Sequence, residues 1–128
     1  MHELSIAMSI VDLVQEEANS RGGFQVEAVH LKLGQLSGVV KEALLFSFEL
    51  ACEQTPLQGS KLVIEEVPVL VNCPTCQAQR AVRSLQCLCC AECGTPAYDV
   101  VAGREIFVTA LEIRQTENQD LRQEVEQQ

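Results

Sequence analysis

The sequence predicts an α+β fold in which two helices and three strands carry an inserted, metal-stapled lobe. Three observations lead there. Two stretches space their apolar residues by three and four, and three others alternate them. The cysteines gather into two CxxC pairs, Cys73-Pro74-Thr75-Cys76 and Cys90-Ala91-Glu92-Cys93, thirteen residues apart. At 128 residues and 47% hydrophobic content the chain can bury one core of ordinary size, and 4% aromatic content without Trp makes that core aliphatic.

From Leu4 to about Ser20, the residues Leu4, Ala7, Val11, Val14 and Ala18 form a helical stripe, with Asp12, Gln15, Glu16 and Glu17 mostly off it. Met8 and Ile10 are expected to broaden the buried face. Arg21-Gly22-Gly23 ends this helix, because glycine tolerates a left-handed exit. Phe24 to Leu33 alternates as a strand, with Val29, Leu31 and Leu33 on one face and Phe24, Val26, Ala28 and His30 on the other. His30 has no second ligand at a recognisable spacing, so it reads as a partly buried structural histidine. Gly34 to Gly38 is a turn. A second helix runs from about Val40 to Cys52 with Leu44, Phe48, Ala51 and Cys52 on its apolar stripe, and Thr55-Pro56 closes it. Cys52 there behaves as a small buried hydrophobe. Lys61 to Val71 is a strand leading into the cysteine loop, and Glu105 to Arg114 is a strand leaving it, with Phe107, Thr109, Leu111 and Ile113 on one face. These two could pair antiparallel, which would mount the insert. The organisation is then residues 1–70 with 104–114 as one domain, 71–103 as the cysteine lobe, and 115–128 as a polar tail expected to fray or to form a solvated helical turn.

Two CxxC turns joined by a loop of this size place four sulfurs at the corners of a tetrahedron, which suits Zn²⁺ bound by four thiolates. Cys73, Cys76, Cys90 and Cys93 are the expected ligands, and Gly94 allows the chain to turn beside the metal. Cys87 with Cys90 makes an alternative register, and iron in a rubredoxin-type site would use the same ligands. A closed shell of four sulfurs leaves no position for substrate, so the site is structural.

A net charge of −9 and a pI of about 4.6 argue against binding a phosphate backbone, and Arg80, Arg83 and Arg104 are scattered. No signal peptide opens the chain and its apolar runs are short, so a cytoplasmic protein in a reducing environment is expected. No GxxxxGK[ST] phosphate loop and no nucleophile–base set occurs, so the chain is not read as an enzyme.

Met1-His2-Glu3 offers a second metal chemistry. The α-amine, the deprotonated His2 amide and the His2 imidazole form fused chelate rings in one plane, and the Glu3 amide nitrogen completes a square. Planar nitrogen coordination suits Ni²⁺ or Cu²⁺ rather than Zn²⁺. Few, exposed ligands are what a delivery protein needs.

Three motifs agree on a resemblance over residues 1 to 114: the opening Met1-His2-Glu3-Leu4-Ser5, the run Leu31-Lys32-Leu33-Gly34-Gln35-Leu36-Ser37-Gly38-Val39 followed by Phe46-Ser47-Phe48-Glu49, and the paired CxxC knuckles. Together they resemble the hydrogenase and urease nickel-insertion metallochaperones of the HypA/HybF type. The resemblance implies two helices packed on a small three-stranded sheet with a zinc-ribbon lobe. It also implies nickel at His2 with Glu3 and the Met1 amine, and structural zinc at Cys73, Cys76, Cys90 and Cys93. Implied partners are the nickel-handling GTPase HypB and the large subunit of a nickel–iron hydrogenase, with urease as a further recipient. Ala91 stands where proline is common, and Cys87 and Cys89 are extra thiols. A homodimer formed by exchange of a strand or helix is compatible with the two segments that connect the lobe. Two other classes compete: a zinc-ribbon adaptor that handles no nickel, and a thiol–disulfide oxidoreductase using Cys87, Cys89 and Cys90.

Overall fold

The computed structural model describes residues 2–114; Met1, expected as a nickel ligand, and the tail at 115–128 lie outside the described residues. The elements run α1 (Glu3–Ser20), β1 (Gln25–Gly34), α2 (Lys41–Cys52), β2 (Lys61–Val67), β3 (Leu70–Cys73), β4 (Ala78–Ala81), β5 (Asp99–Ala102) and β6 (Ile106–Arg114). They make two three-stranded sheets, ordered β2-β1-β6 and β4-β3-β5. The described residues divide into two compact units, one of residues 2–30, 40–63 and 108–114, the other of residues 31–39 and 64–107.

In the first unit α1 packs on α2. Ala7, Ile10, Val11, Val14 and Ala18 of α1 are buried, as are Leu44, Phe48 and Cys52 of α2. Leu4 and Met8 are not part of that face; they are 46% and 52% exposed. At 100° per residue both lie past the edge of an arc centred near Ala7 and Val14, and Glu3 falls inside it. Glu3 is accordingly buried, and its Oε2 accepts the N–H of Val40, the N-cap of α2, at 3.1 Å. One carboxylate thus ties the start of one helix to the start of the other. The α1 terminus is a Schellman turn: Gly23 N–H reaches Ala18 O at 2.8 Å, Gly22 N–H reaches Asn19 O at 3.2 Å, and Gly22 sits at φ +89°.

Two expectations about strands need correction. The stretch 61–71 is two strands, because Pro68 lacks the N–H that a continuous ladder would use. The strands flanking the insert do not pair with each other; β1 lies between β2 and β6. The apolar residues Val26, Ala28, Val29, Leu31 and Leu33 of β1 are buried, whereas β6 is mostly exposed.

The second unit contains a tight backbone crossing. Gly34 N–H donates to Glu105 O (2.7 Å), Gln35 N–H to Val67 O (3.0 Å) and Leu36 N–H to Gly103 O (2.6 Å). A Cβ on Gly34 would lie 2.1 Å from Gly103 O, an impossible distance that only backbone movement could relieve. Gly34→Ala is therefore expected to cost roughly 3 kcal/mol, the upper part of the usual range for overpacking. Urea unfolding compared with wild type measures it, and an unchanged midpoint would contradict the crossing.

Candidate metal centre

The lobe is built on β3, which pairs antiparallel with β4 (Cys73 opposite Ala78) and with β5 (Asn72 opposite Asp99). Val69, Val71 and Ala97 form its small buried core, with Leu36, Val82 and Val100 packed against them. The end of β3 presents Cys73, and the following turn presents Cys76.

The two CxxC turns have the same backbone. Gln77 N–H returns to Cys73 O and Gly94 N–H to Cys90 O, both at 2.8 Å. The closing residue is left-handed in each, Gly94 at φ +81° and Gln77 at φ +54°. Glycine takes that conformation freely at Gly94, as the sequence anticipated; Gln77 adopts it without that freedom. Within the turns, Cys76 N–H points to Cys73 Sγ at 3.3 Å and Glu92 N–H to Cys90 Sγ at 3.4 Å.

The four sulfurs of Cys73, Cys76, Cys90 and Cys93 all lie within 4.8 Å of one another. Cys73 Sγ is 3.6 Å from Cys93 Sγ, and Cys76 Sγ is 3.9 Å from Cys90 Sγ. A tetrahedron with metal–sulfur bonds of 2.3 Å has edges of about 3.8 Å, so the cluster already has the size that a four-thiolate metal site needs. Among the described residues no other group of three or more His, Cys, Asp or Glu side chains converges in this way.

The electrostatics favour a cation. Cys93 lies beside Thr95, with Sγ to Oγ1 at 3.1 Å, and the Thr95 hydroxyl and N–H draw its thiol down to about 6. Cys90 is pushed up by burial, but the N–H groups of Cys93 and Glu92 outweigh that and leave it lower than usual. The Arg80 guanidinium hydrogen-bonds Cys76 and pulls it down, yet Cys93, burial, Cys73 and Cys90 together raise it to about 11. Four sulfurs this close do not all ionise unaided, and a divalent metal would let them. Arg80, with its Nε buried and without a partner, supplies a positive charge against the resulting dianion. Sequence reasoning missed Arg80 and Thr95, because neither spacing nor residue type separates them from other surface polar residues.

The remaining candidates fall elsewhere. His2 is the exposed N-cap of α1 and its side chain makes no capping bond. The helix's first hydrogen bond runs from Ile6 N–H to His2 O at 3.1 Å. His30 Nε2 is 2.6 Å from Glu112 Oε2, a structural pair that no third His, Cys, Asp or Glu among the described residues joins as a metal cluster. Cys52 is buried, and desolvation pushes its thiol up to about 11, which makes it inert. Cys87 and Cys89 stand outside the cluster, with their sulfurs 2.6 Å apart. No helix among the described residues is long and apolar enough to cross a membrane.

Comparison with known proteins bears on what this arrangement does. A family model described as hydrogenase/urease nickel incorporation, metallochaperone, hypA matches residues 1–113. The hydrogenase maturation factor HypA of Chloroflexus aurantiacus is 47% identical over 112 residues, covering 88% of this chain and 98% of that protein. A solution structure of a HypA protein superposes with a TM-score of 0.65 at 24% identity, covering 89% of this chain and 97% of that one. The solution structure of the Ni metallochaperone HypA from Helicobacter pylori gives a TM-score of 0.59 at 24% identity over 87% and 96% of the two chains. Those two likenesses concern the fold; the family match and the 47% relative carry more. The chain belongs to the HypA family, metallochaperones that incorporate nickel into hydrogenase and urease.

Proposed function

We propose that the chain carries one nickel ion at its amino terminus for delivery to a nickel–iron hydrogenase, while zinc at Cys73, Cys76, Cys90 and Cys93 folds the lobe. The observation that supports the nickel site is the exposed His2 at the N-cap of α1, whose side chain makes no capping bond. Ni²⁺, the cargo, is taken by the Met1 amine, the His2 amide and imidazole, and the Glu3 amide. Two of those nitrogens bind as anions, so the loaded terminus gains no net positive charge from the metal, and the helix dipole does not oppose it. Glu3 contributes its backbone, and its carboxylate accepts the Val40 N–H.

Zinc in the lobe supplies folding energy and leaves no open position for a reactant. In this reading residues 1–70 with 104–114 serve nickel and 71–103 serve zinc. The recipient is the hydrogenase large subunit, with urease as a second. The GTPase HypB supplies any nucleotide-driven step, since this sequence carries no phosphate loop. Cytoplasmic location and a homodimer belong to the same reading.

Extending the chain by a residue ahead of Met1 converts the amine into an amide. That variant should bind nickel more weakly and keep its zinc. Nickel affinity should also rise with pH, because the amine and both amides shed protons on binding. Calorimetric titration of both proteins across neutral pH tests this. Equal affinity in the extended chain, or affinity independent of pH, would remove the terminal chelate.

A further inference from the structure

Cys87 and Cys89 are absorbed by neither metal reading, yet the fold presents them as a pair. Their Sγ atoms are 2.6 Å apart, Cys87 exposed and Cys89 half-buried. The backbone creates this contact. Cys89 N–H turns back to Cys87 O at 2.8 Å, a three-residue γ-turn centred on Leu88 that puts the two side chains together. Neighbouring segments brace the turn: Cys87 N–H donates to Ser84 Oγ (3.0 Å), Arg83 N–H to Cys89 O (3.0 Å) and Ala97 N–H to Leu88 O (2.8 Å). Among the described residues no third His, Cys, Asp or Glu side chain joins the pair, so a metal would find two ligands there and no more.

We propose that Cys87-Leu88-Cys89 is a site of reversible thiol–disulfide exchange with low-molecular-weight disulfides such as oxidised glutathione. The exposed Cys87, as its thiolate, attacks one sulfur of glutathione disulfide. The S–S bond of the reagent breaks, and one glutathione leaves with the electron pair. Cys89 then attacks the Cys87 sulfur of the mixed disulfide and expels the second glutathione. Two protein thiols are oxidised to one disulfide, one glutathione disulfide is reduced to two thiols, and the two protein protons end on those thiols. Preformed proximity makes the second step faster than encounter with another molecule. An exposed disulfide closing so small a ring belongs to the easily reduced, labile class, so the reaction runs back when the glutathione pool becomes reducing. The site depends on neither metal assignment.

The test incubates the reduced, metal-loaded full chain with oxidised glutathione without oxygen, then measures intact mass, peptide linkage and metal release. The expected result is loss of two hydrogens, a Cys87–Cys89 linkage, no lasting glutathione adduct and unchanged metal content. Cys89→Ser should instead retain one glutathione on Cys87, and Cys87→Ser with Cys89→Ser should not react, all with metal content as in wild type. Oxidation mapped to Cys73, Cys76, Cys90 or Cys93 with metal loss would overturn the proposal. So would a persistent adduct in the wild type, no reaction at all, or a further bound metal ion that disappears in the double variant.

Discussion

Removing the metal from the four-cysteine cluster is expected to unfold the β4-β3-β5 sheet. The buried core of that lobe is Val69, Val71 and Ala97, with three partly buried neighbours. So small an apolar core does not offset the conformational entropy of its loops, and domains below about 40 residues usually need metal or disulfide support. Apparent zinc-binding energies of roughly 10–16 kcal/mol in small zinc domains exceed anything three buried side chains supply. A strong chelator, or Cys90→Ser at the fully buried ligand, should therefore abolish amide protection across β3, β4 and β5. Acid should act in the same direction, since the thiolates must regain protons as pH falls, and metal affinity falls with it. Hydrogen exchange of the stripped protein decides the matter: protected β3 amides without metal would show that the apolar core suffices.

His2→Ala is expected to lower nickel affinity by more than about 100-fold, beyond the 10–100-fold typical of residues that only support a ligand. Folding and zinc content should not change, because His2 is exposed and caps nothing with its side chain. The other histidine is the internal control. His30 is paired with Glu112 at 2.6 Å, so His30→Ala should bind nickel as wild type does. Nickel titration of the three proteins with zinc analysis of each is the measurement, and near-equal affinity in His2→Ala would end the terminal-chelate assignment. Glu3→Ala is a poor substitute for this test, because it frees the Val40 N–H and disturbs the helix pair as well.

Local chemistry was readable from residue order. The glycine pair after Arg21 announced the end of α1, and the cysteine spacing announced two like turns; both are properties of a few adjacent residues. The run Leu33-Gly34-Gln35-Leu36 was recognisable as a motif, but its cause was not. Only the folded chain shows that Gly34 must lack a side chain because Gly103 passes against it.

By itself, then, the sequence determined the kinds of elements, the family, and which side chains have metal-binding chemistry, because those depend on short-range pattern and donor type. The tertiary structure decided which strand is central, that Met8 faces solvent, and that the buried Glu3 carboxylate bridges two helix starts. It also decided that Cys87 and Cys89 pair with each other while Cys90 joins the cluster. These depend on contacts between residues distant in the chain or on the hand of a single turn, and a one-residue rotation changes them without altering any pattern in the sequence.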